Sequence, residues 1–163
     1  MSFKRIFVAI DNSELSSHVF NQALDLAQAN QANLMLFHGF THNSFDEPGL
    51  PLPIELGINA ELVDQAYRTQ YARLEQEIEA AQTLLSDYCV SALNQGVKAE
   101  SDCKGVEDAG RSICQASQDW GADLIVLGRR GLKGLAEVLL GSVSNYVLHH
   151  AHCCVLVVQE SKA

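Results

Sequence analysis

Asp123-Leu124-Ile125-Val126-Leu127-Gly128-Arg129-Arg130-Gly131, followed ten residues on by Gly141-Ser142-Val143-Ser144, is the stretch from which the rest of the chain can be read. Leu124 to Leu127 is an apolar run without polar alternation, which predicts a short strand covered on both faces. Glycines close it, Ser142 to His150 can form a helix, and Val155 to Val158 is a further buried strand. Gly128 and Gly131 let backbone approach a bulky anion, and a helix starting at Ser142 to Ser144 offers unpaired N–H groups and a positive dipole end to phosphate. A hydroxyl at Ser142 adds one more donor. Glycines after a strand are also ordinary turn residues, so these positions carry both readings.

Working outward, the same alternation recurs. Phe3 to Ile10 predicts a first strand, Asp11-Asn12-Ser13 supplies turn and cap chemistry, and Phe20, Ala23, Leu24 and Ala27 mark a helix over about Leu15 to Asn30. Ala32 to Gly39 reads as a second strand, completing a βαβ unit. From Phe40 to Ile58 the pattern stops, and Pro48, Pro51 and Pro53 predict a long loop. Leu62 to Leu93 is a long helical pattern in which Leu74, Ile78, Ala81, Leu85 and Tyr88 alternate spacings of four and three, read most simply as core packing, with Glu75, Glu77 and Glu79 on the polar side. Val97 to Asp102 is a weak strand and Val106 to Trp120 a helix. The expected fold is α/β, a five-stranded parallel sheet sandwiched by four helices in one domain spanning 1–163. Such sheets bind ligands outside the carboxyl ends of the strands, where strand order reverses, so the residues to examine follow strands 1, 2 and 4.

Composition bounds the partners. The chain has 163 residues with 20 acidic and 11 Lys or Arg side chains, a formal charge of -9. That balance disfavours nucleic acid and anionic membrane surfaces, which reward clustered basic groups. Five cysteines without framework spacing, and no apolar run long enough for a signal or a membrane span, predict a cytoplasmic protein.

The spacing Gly128-x2-Gly131-x9-Gly141-Ser142 resembles that of the universal stress proteins, in their nucleotide-binding branch. The resemblance extends to Val8-Ala9-Ile10-Asp11-Asn12-Ser13, Leu36-Phe37-His38, Asp123 to Gly128, and Cys153-x-Val155-Leu156-Val157-Val158. It implies a Rossmann-like fold related to adenine nucleotide α-hydrolase-like domains, ATP (or ADP or AMP) with Mg2+ as cofactors, and a homodimer through the last strand, Cys153 to Gln159. Carried over position by position, it implies Gly128, Gly131, Gly141, Ser142, Val143 and Ser144 around ribose and phosphates, flanked by Leu127 and Arg129. It places Ala9, Ile10 and Asp11 at the end of strand 1, with Asp11 near the ribose or the cation, and the Gly39 backbone at the adenine edge. Gly39 stands where the family usually has an aliphatic residue, Arg129 where it most often has Ser, and Cys154 where it usually has Pro.

The residues themselves leave Asp11 two readings, a carboxylate for Mg2+ or a cap for the first helix. Arg129 is either an added charge near phosphates or a solvated loop side chain. His149, His150, His152, Cys153 and Cys154 look like metal ligands, but a helix end fans side chains outward and strand neighbours face opposite ways. His38, at a strand end, reads as a satisfied histidine. No Gly-x4-Gly-Lys-Ser/Thr loop, Gly-x-Ser-x-Gly elbow or His-Glu-x-x-His is present, and no catalytic base can be assigned. The expectation is an ATP-binding, nucleotide-dependent stress-response regulator with at most slow hydrolysis, the alternative being an interaction protein that binds no nucleotide.

Overall fold

β-Branched and apolar runs set the strands, and the loops between them set which way the chain turns. In the computed structural model, which describes residues 2–41, 60–129 and 141–159, the elements run β1 (Arg5–Ala9), α1 (Ser16–Asn30), β2 (Asn33–Thr41), α2 (Ala60–Asn94), β3 (Ala99–Val106), α3 (Ala109–Trp120), β4 (Leu124–Gly128), α4 (Ser142–His150) and β5 (Cys154–Val158). All strand pairs are parallel and the order is β3-β2-β1-β4-β5.

That order dictates the layers. Right-handed crossovers that step one way along a sheet put their helices on one face, and steps in the opposite direction put theirs on the other. From β1 to β2 to β3 the chain steps one way, carrying α1 and α2; from β3 to β4 to β5 it returns, carrying α3 and α4. The two cores follow the alternation along each strand. Ile6, Val8, Leu34, Leu36, Leu124 and Val126 pack under α1 and α2 with Val19, Phe20, Leu24, Leu85 and Ala92. Phe7, Phe37, Ile125 and Leu127 pack under α3 and α4 with Ile113 and Val147. Phe20 and Tyr88 stack at 4.3 Å between ring centroids, fastening α2 to α1.

Three boundaries differ from expectation. β3 begins at Ala99 rather than Val97 and continues to Val106, because β2 extends to Thr41 and offers Lys104, Gly105 and Val106 pairing partners. The helix expected from Val106 therefore starts at Ala109, where Asp108 caps it by accepting from the Arg111 N–H at 2.6 Å. The Leu62 to Leu93 stripe is core only in its second half: Ala81, Leu85 and Ala92 are buried, whereas Leu62 and Tyr71 are exposed. Phe40 and Thr41, expected in the long loop, belong to β2, and 42–59 lie outside the described residues.

Candidate functional site

Between β1 and β4 the connections diverge, one entering α1 on the first face and the other α4 on the second. This is the switch point of the sheet, and the carboxyl ends of its strands leave a crevice there. Both helices run back against their strands, so their N-termini lie at this same edge.

The β1 wall is built from Ala9, Ile10 and Asp11. Ala9 is flanked by Phe37 and Leu127. Ile10 is 3% exposed, its side chain in the core. Its N–H donates to the Phe37 carbonyl at 2.8 Å, and its carbonyl accepts from Nδ1 of buried His38 at 2.9 Å. A carbonyl can only accept, so Nδ1 carries the proton and His38 is a satisfied histidine. Asp11 is not the cap of α1: the N-cap position belongs to Leu15, which has no side-chain cap. The Asp11 carboxylate instead closes the loop as an Asx turn, Oδ1 accepting from the Ser13 N–H at 2.9 Å, from the Ser13 hydroxyl and from the Ser16 hydroxyl at 2.8 Å. Ser16, not singled out in the sequence, also receives the Asp11 N–H at 3.1 Å. Asp11, Ser13 and Ser16 are separated by two and three residues, and that spacing was the available signal.

The β4 wall carries the glycine motif. Leu127 is buried in the second core. Gly128 has a packing reason to be glycine, because a Cβ there would meet Leu15 Cδ2 at 2.9 Å and Val19 Cγ2 at 3.2 Å, where α1 crosses the strand end. Arg129 is not a solvated loop side chain. Its N–H donates to the Val158 carbonyl at 2.8 Å, its guanidinium reaches Gln159 Oε1 at 3.3 Å, and Nε is buried without a hydrogen-bond partner among the described residues. Gly131 lies outside the described residues. Gly141 is the N-cap of α4 and contributes no side-chain cap, so the first-turn N–H groups of Ser142, Val143 and Ser144 receive none from it. Ser144 is buried and donates to the Gly141 carbonyl at 3.0 Å; Ser142 is exposed; Val143 packs on the second core.

The third wall is the overhang of β2. Phe37 accepts from Ile10, and alternate residues of a parallel strand turn their backbone groups to the same side, so Gly39 presents its N–H and carbonyl above the end of β1. Its missing side chain is replaced from β3: a Cβ at Gly39 would meet Val106 Cγ2 at 3.0 Å and Cγ1 at 3.3 Å. The aliphatic surface is thus present, supplied by a different strand.

The His and Cys cluster lies apart from this crevice. His150 Nδ1 bonds the Tyr146 carbonyl at 2.8 Å, with its ring stacked on Tyr146 at 4.0 Å, and His152 Nε2 bonds the Ala122 carbonyl at 3.1 Å. Cys153 packs on the second core and Cys154 is exposed. Burial first, then the neighbouring Cys154, Asp123 and Cys114, push the Cys153 thiol up to about 11. Among the described residues no three His, Cys, Asp or Glu side chains are grouped to hold a metal ion. No helix among them is long and apolar enough to cross a membrane.

Comparison with known proteins agrees with this architecture. The family model described as the universal stress protein family matches residues 2–159. Universal stress protein Sll1388 of Synechocystis sp. is 40% identical, the alignment covering 98% of this chain and 99% of that protein. Among solved structures, universal stress protein UspA from Lactobacillus plantarum has a TM-score of 0.75 at 22% identity over 97% of this chain and 99% of its own, which shows the same Rossmann-like fold. A universal stress protein from Archaeoglobus fulgidus, solved in complex with dAMP, has a TM-score of 0.62 at 19% identity over 96% of this chain and 98% of its own. A universal stress protein solved in complex with cAMP has a TM-score of 0.63 at 21% identity, covering 99% of this chain and 100% of its own. With the sheet order, the switch-point crevice and a match over nearly its whole length, the chain belongs to the universal stress protein family.

Proposed function

We propose that the crevice between β1 and β4 binds an adenine nucleotide, ATP with Mg2+ in its resting form, and that occupancy rather than turnover is the signal. The observation that carries this reading is the start of α4: nine residues of helix beginning on a glycine cap, which has no side chain to spend on the first N–H groups, at the switch point of the sheet. Such a terminus favours anions through its donors and its dipole. Gly39 offers one donor and one acceptor at the opposite wall, the pair an adenine edge requires, and Val106 supplies apolar surface beside it. The dAMP and cAMP complexes of two structural neighbours support the adenine part. Asp11 would supply an oxygen ligand to the cation, with the phosphates completing its coordination. Among the described residues, no side chain at the crevice is placed as a general base: His38 is tied to Ile10, and Asp11 to Ser13 and Ser16. This favours a nucleotide-dependent regulator over an efficient hydrolase.

The edge position of β5 supports the expected homodimer. Val155, Leu156 and Val157 are half-buried on a strand with one side unpaired among the described residues, an arrangement that a second chain would complete.

Mass spectrometry of the denatured, freshly purified protein is expected to release an adenine nucleotide, and millimolar ATP with Mg2+ should raise Tm. A ligand at a hundred times its Kd stabilises by about 2.7 kcal/mol, a shift well within reach of calorimetry. Gly141→Val should remove that rise by placing a branched side chain at the cap. No released nucleotide together with an unmoved Tm would favour the alternative, an interaction protein that binds none.

A further inference from the structure

Arg129 is the first residue after β4, and its backbone is fixed by the N–H bond to the Val158 carbonyl at 2.8 Å. Its side chain is half-buried and poorly satisfied. Nη1 donates to Gln159 Oε1 at 3.3 Å, a long bond to a neutral amide, and Nε is buried with no hydrogen-bond partner among the described residues. No carboxylate among them pairs with the guanidinium: the ion pairs found there join Arg68 to Asp64 and Lys104 to Asp102. With 20 acidic side chains against 11 Lys or Arg, a counter-ion is the partner this chain could supply most easily, yet Arg129 meets an amide. A buried donor and a desolvated charge each cost stability until they are satisfied, and an arginine does not escape by losing its proton. The group that satisfies both at once is an anion.

Residues along β4 alternate between the faces of the sheet. Leu127 packs on the second core, and a Cβ at Gly128 would meet Leu15 and Val19 of the first. Arg129 comes next and returns to the second face, which carries α4. Arg129 and the start of α4 are therefore two anion receptors on one side of the sheet, at the carboxyl end of β4. We propose that Arg129, steadied by Gln159, is a second anion subsite of the crevice and takes a phosphate beyond the one at the start of α4, so that the ligand is a nucleoside di- or triphosphate rather than a monophosphate. This rests on the nucleotide reading above and narrows it. The long amide bond lets the guanidinium turn as the phosphate arrives, and the edge made by Nε and Nη2 then meets two phosphate oxygens at once. Gln159 orients this fork without neutralising it, because its amide carries no charge.

Isothermal titration calorimetry on the full chain at fixed Mg2+ tests it, with ATP, ADP, AMP and inorganic triphosphate as ligands. Arg129→Gln should weaken ATP, ADP and triphosphate by about tenfold and AMP by no more than about twofold. Gln159→Glu keeps the arginine but gives it a carboxylate, and should weaken the same three ligands by about tenfold while again sparing AMP. Gln159 is exposed and the backbone bond from Arg129 to Val158 needs neither side chain, so Gln159→Glu reads the subsite even where Arg129→Gln folds poorly. Equal ATP affinity in the parent and in both variants would overturn the proposal, the result expected if Glu137, the one carboxylate within 130–140, holds the guanidinium. An equal loss for AMP would also overturn it, by putting Arg129 on the first phosphate. A parent that binds triphosphate through Arg129 but no adenine nucleotide would leave the subsite standing and sink the nucleotide reading alone; a parent that binds neither would sink both.

Discussion

Cys153 holds its proton far beyond the ordinary thiol range, with a pKa of about 11 caused by burial and then by Cys154, Asp123 and Cys114. An unfolded chain would lose that proton near pH 8.5. The folded state therefore binds the proton more tightly, and the associated stability is complete below about pH 8.5 and is lost as pH rises toward 11. Cys153→Ala should show a shallower fall in Tm between pH 9 and 11 than the parent in pH-stepped calorimetry; parallel curves would mean that another group titrates. At the same scale, the sequence motif marked the end of β4 and the start of α4, because glycines and a helix start are local signals. It did not show what holds them. The Asp11 carboxylate is spent on Ser13 and Ser16, the Gly39 wall is completed by Val106 from a strand 67 residues away, and Arg129 is anchored to Val158 and Gln159. Each of those contacts depends on pairing that no single segment encodes.

Elements read as apolar runs, β1, β2, β4 and β5, were legible because strands buried on both faces leave an unbroken hydrophobic signature. β3 was less so. It is an edge strand with the sequence Ala99-Glu100-Ser101-Asp102-Cys103-Lys104-Gly105-Val106, and its second half is a strand only because β2 is there to pair with it. The contact between α3 and α4 was hidden for a similar reason. Gly110 looks like a helix-weakening residue, but a Cβ there would meet Tyr146 Cβ and Cδ1 at 2.9 Å. Tyr146 Cβ sits close to its own backbone and cannot swing aside, so the two helices would have to move apart. Gly110→Ala should therefore destabilise by about 1–3 kcal/mol despite the better helix propensity of alanine, seen as a lower urea midpoint at unchanged slope. A gain in stability would show that the pair of helices has slack.

For the molecule as a whole, the question is what closes the β5 edge. Val158 accepts from Arg129, so by alternation Leu156 turns its backbone toward β4 and Val155 and Val157 turn theirs outward. Val157→Pro would delete one outward N–H and spare the ladder with β4. The expected result is loss of the β5-mediated dimer in light scattering. A dimer indifferent to proline at 157 would move the interface elsewhere.

The central strand of this sheet also imposes an order in time. β1 is synthesised before β4, and the two lie 118 residues apart at the Arg5 and Asp123 hydrogen bond. Closing so distant a pair is slow and comes after the local βαβ unit has formed. A nascent chain can thus hold β1, β2 and β3 together while still lacking any pocket at the switch point. On the proposed function, nucleotide capture would then report that β4 has joined the sheet.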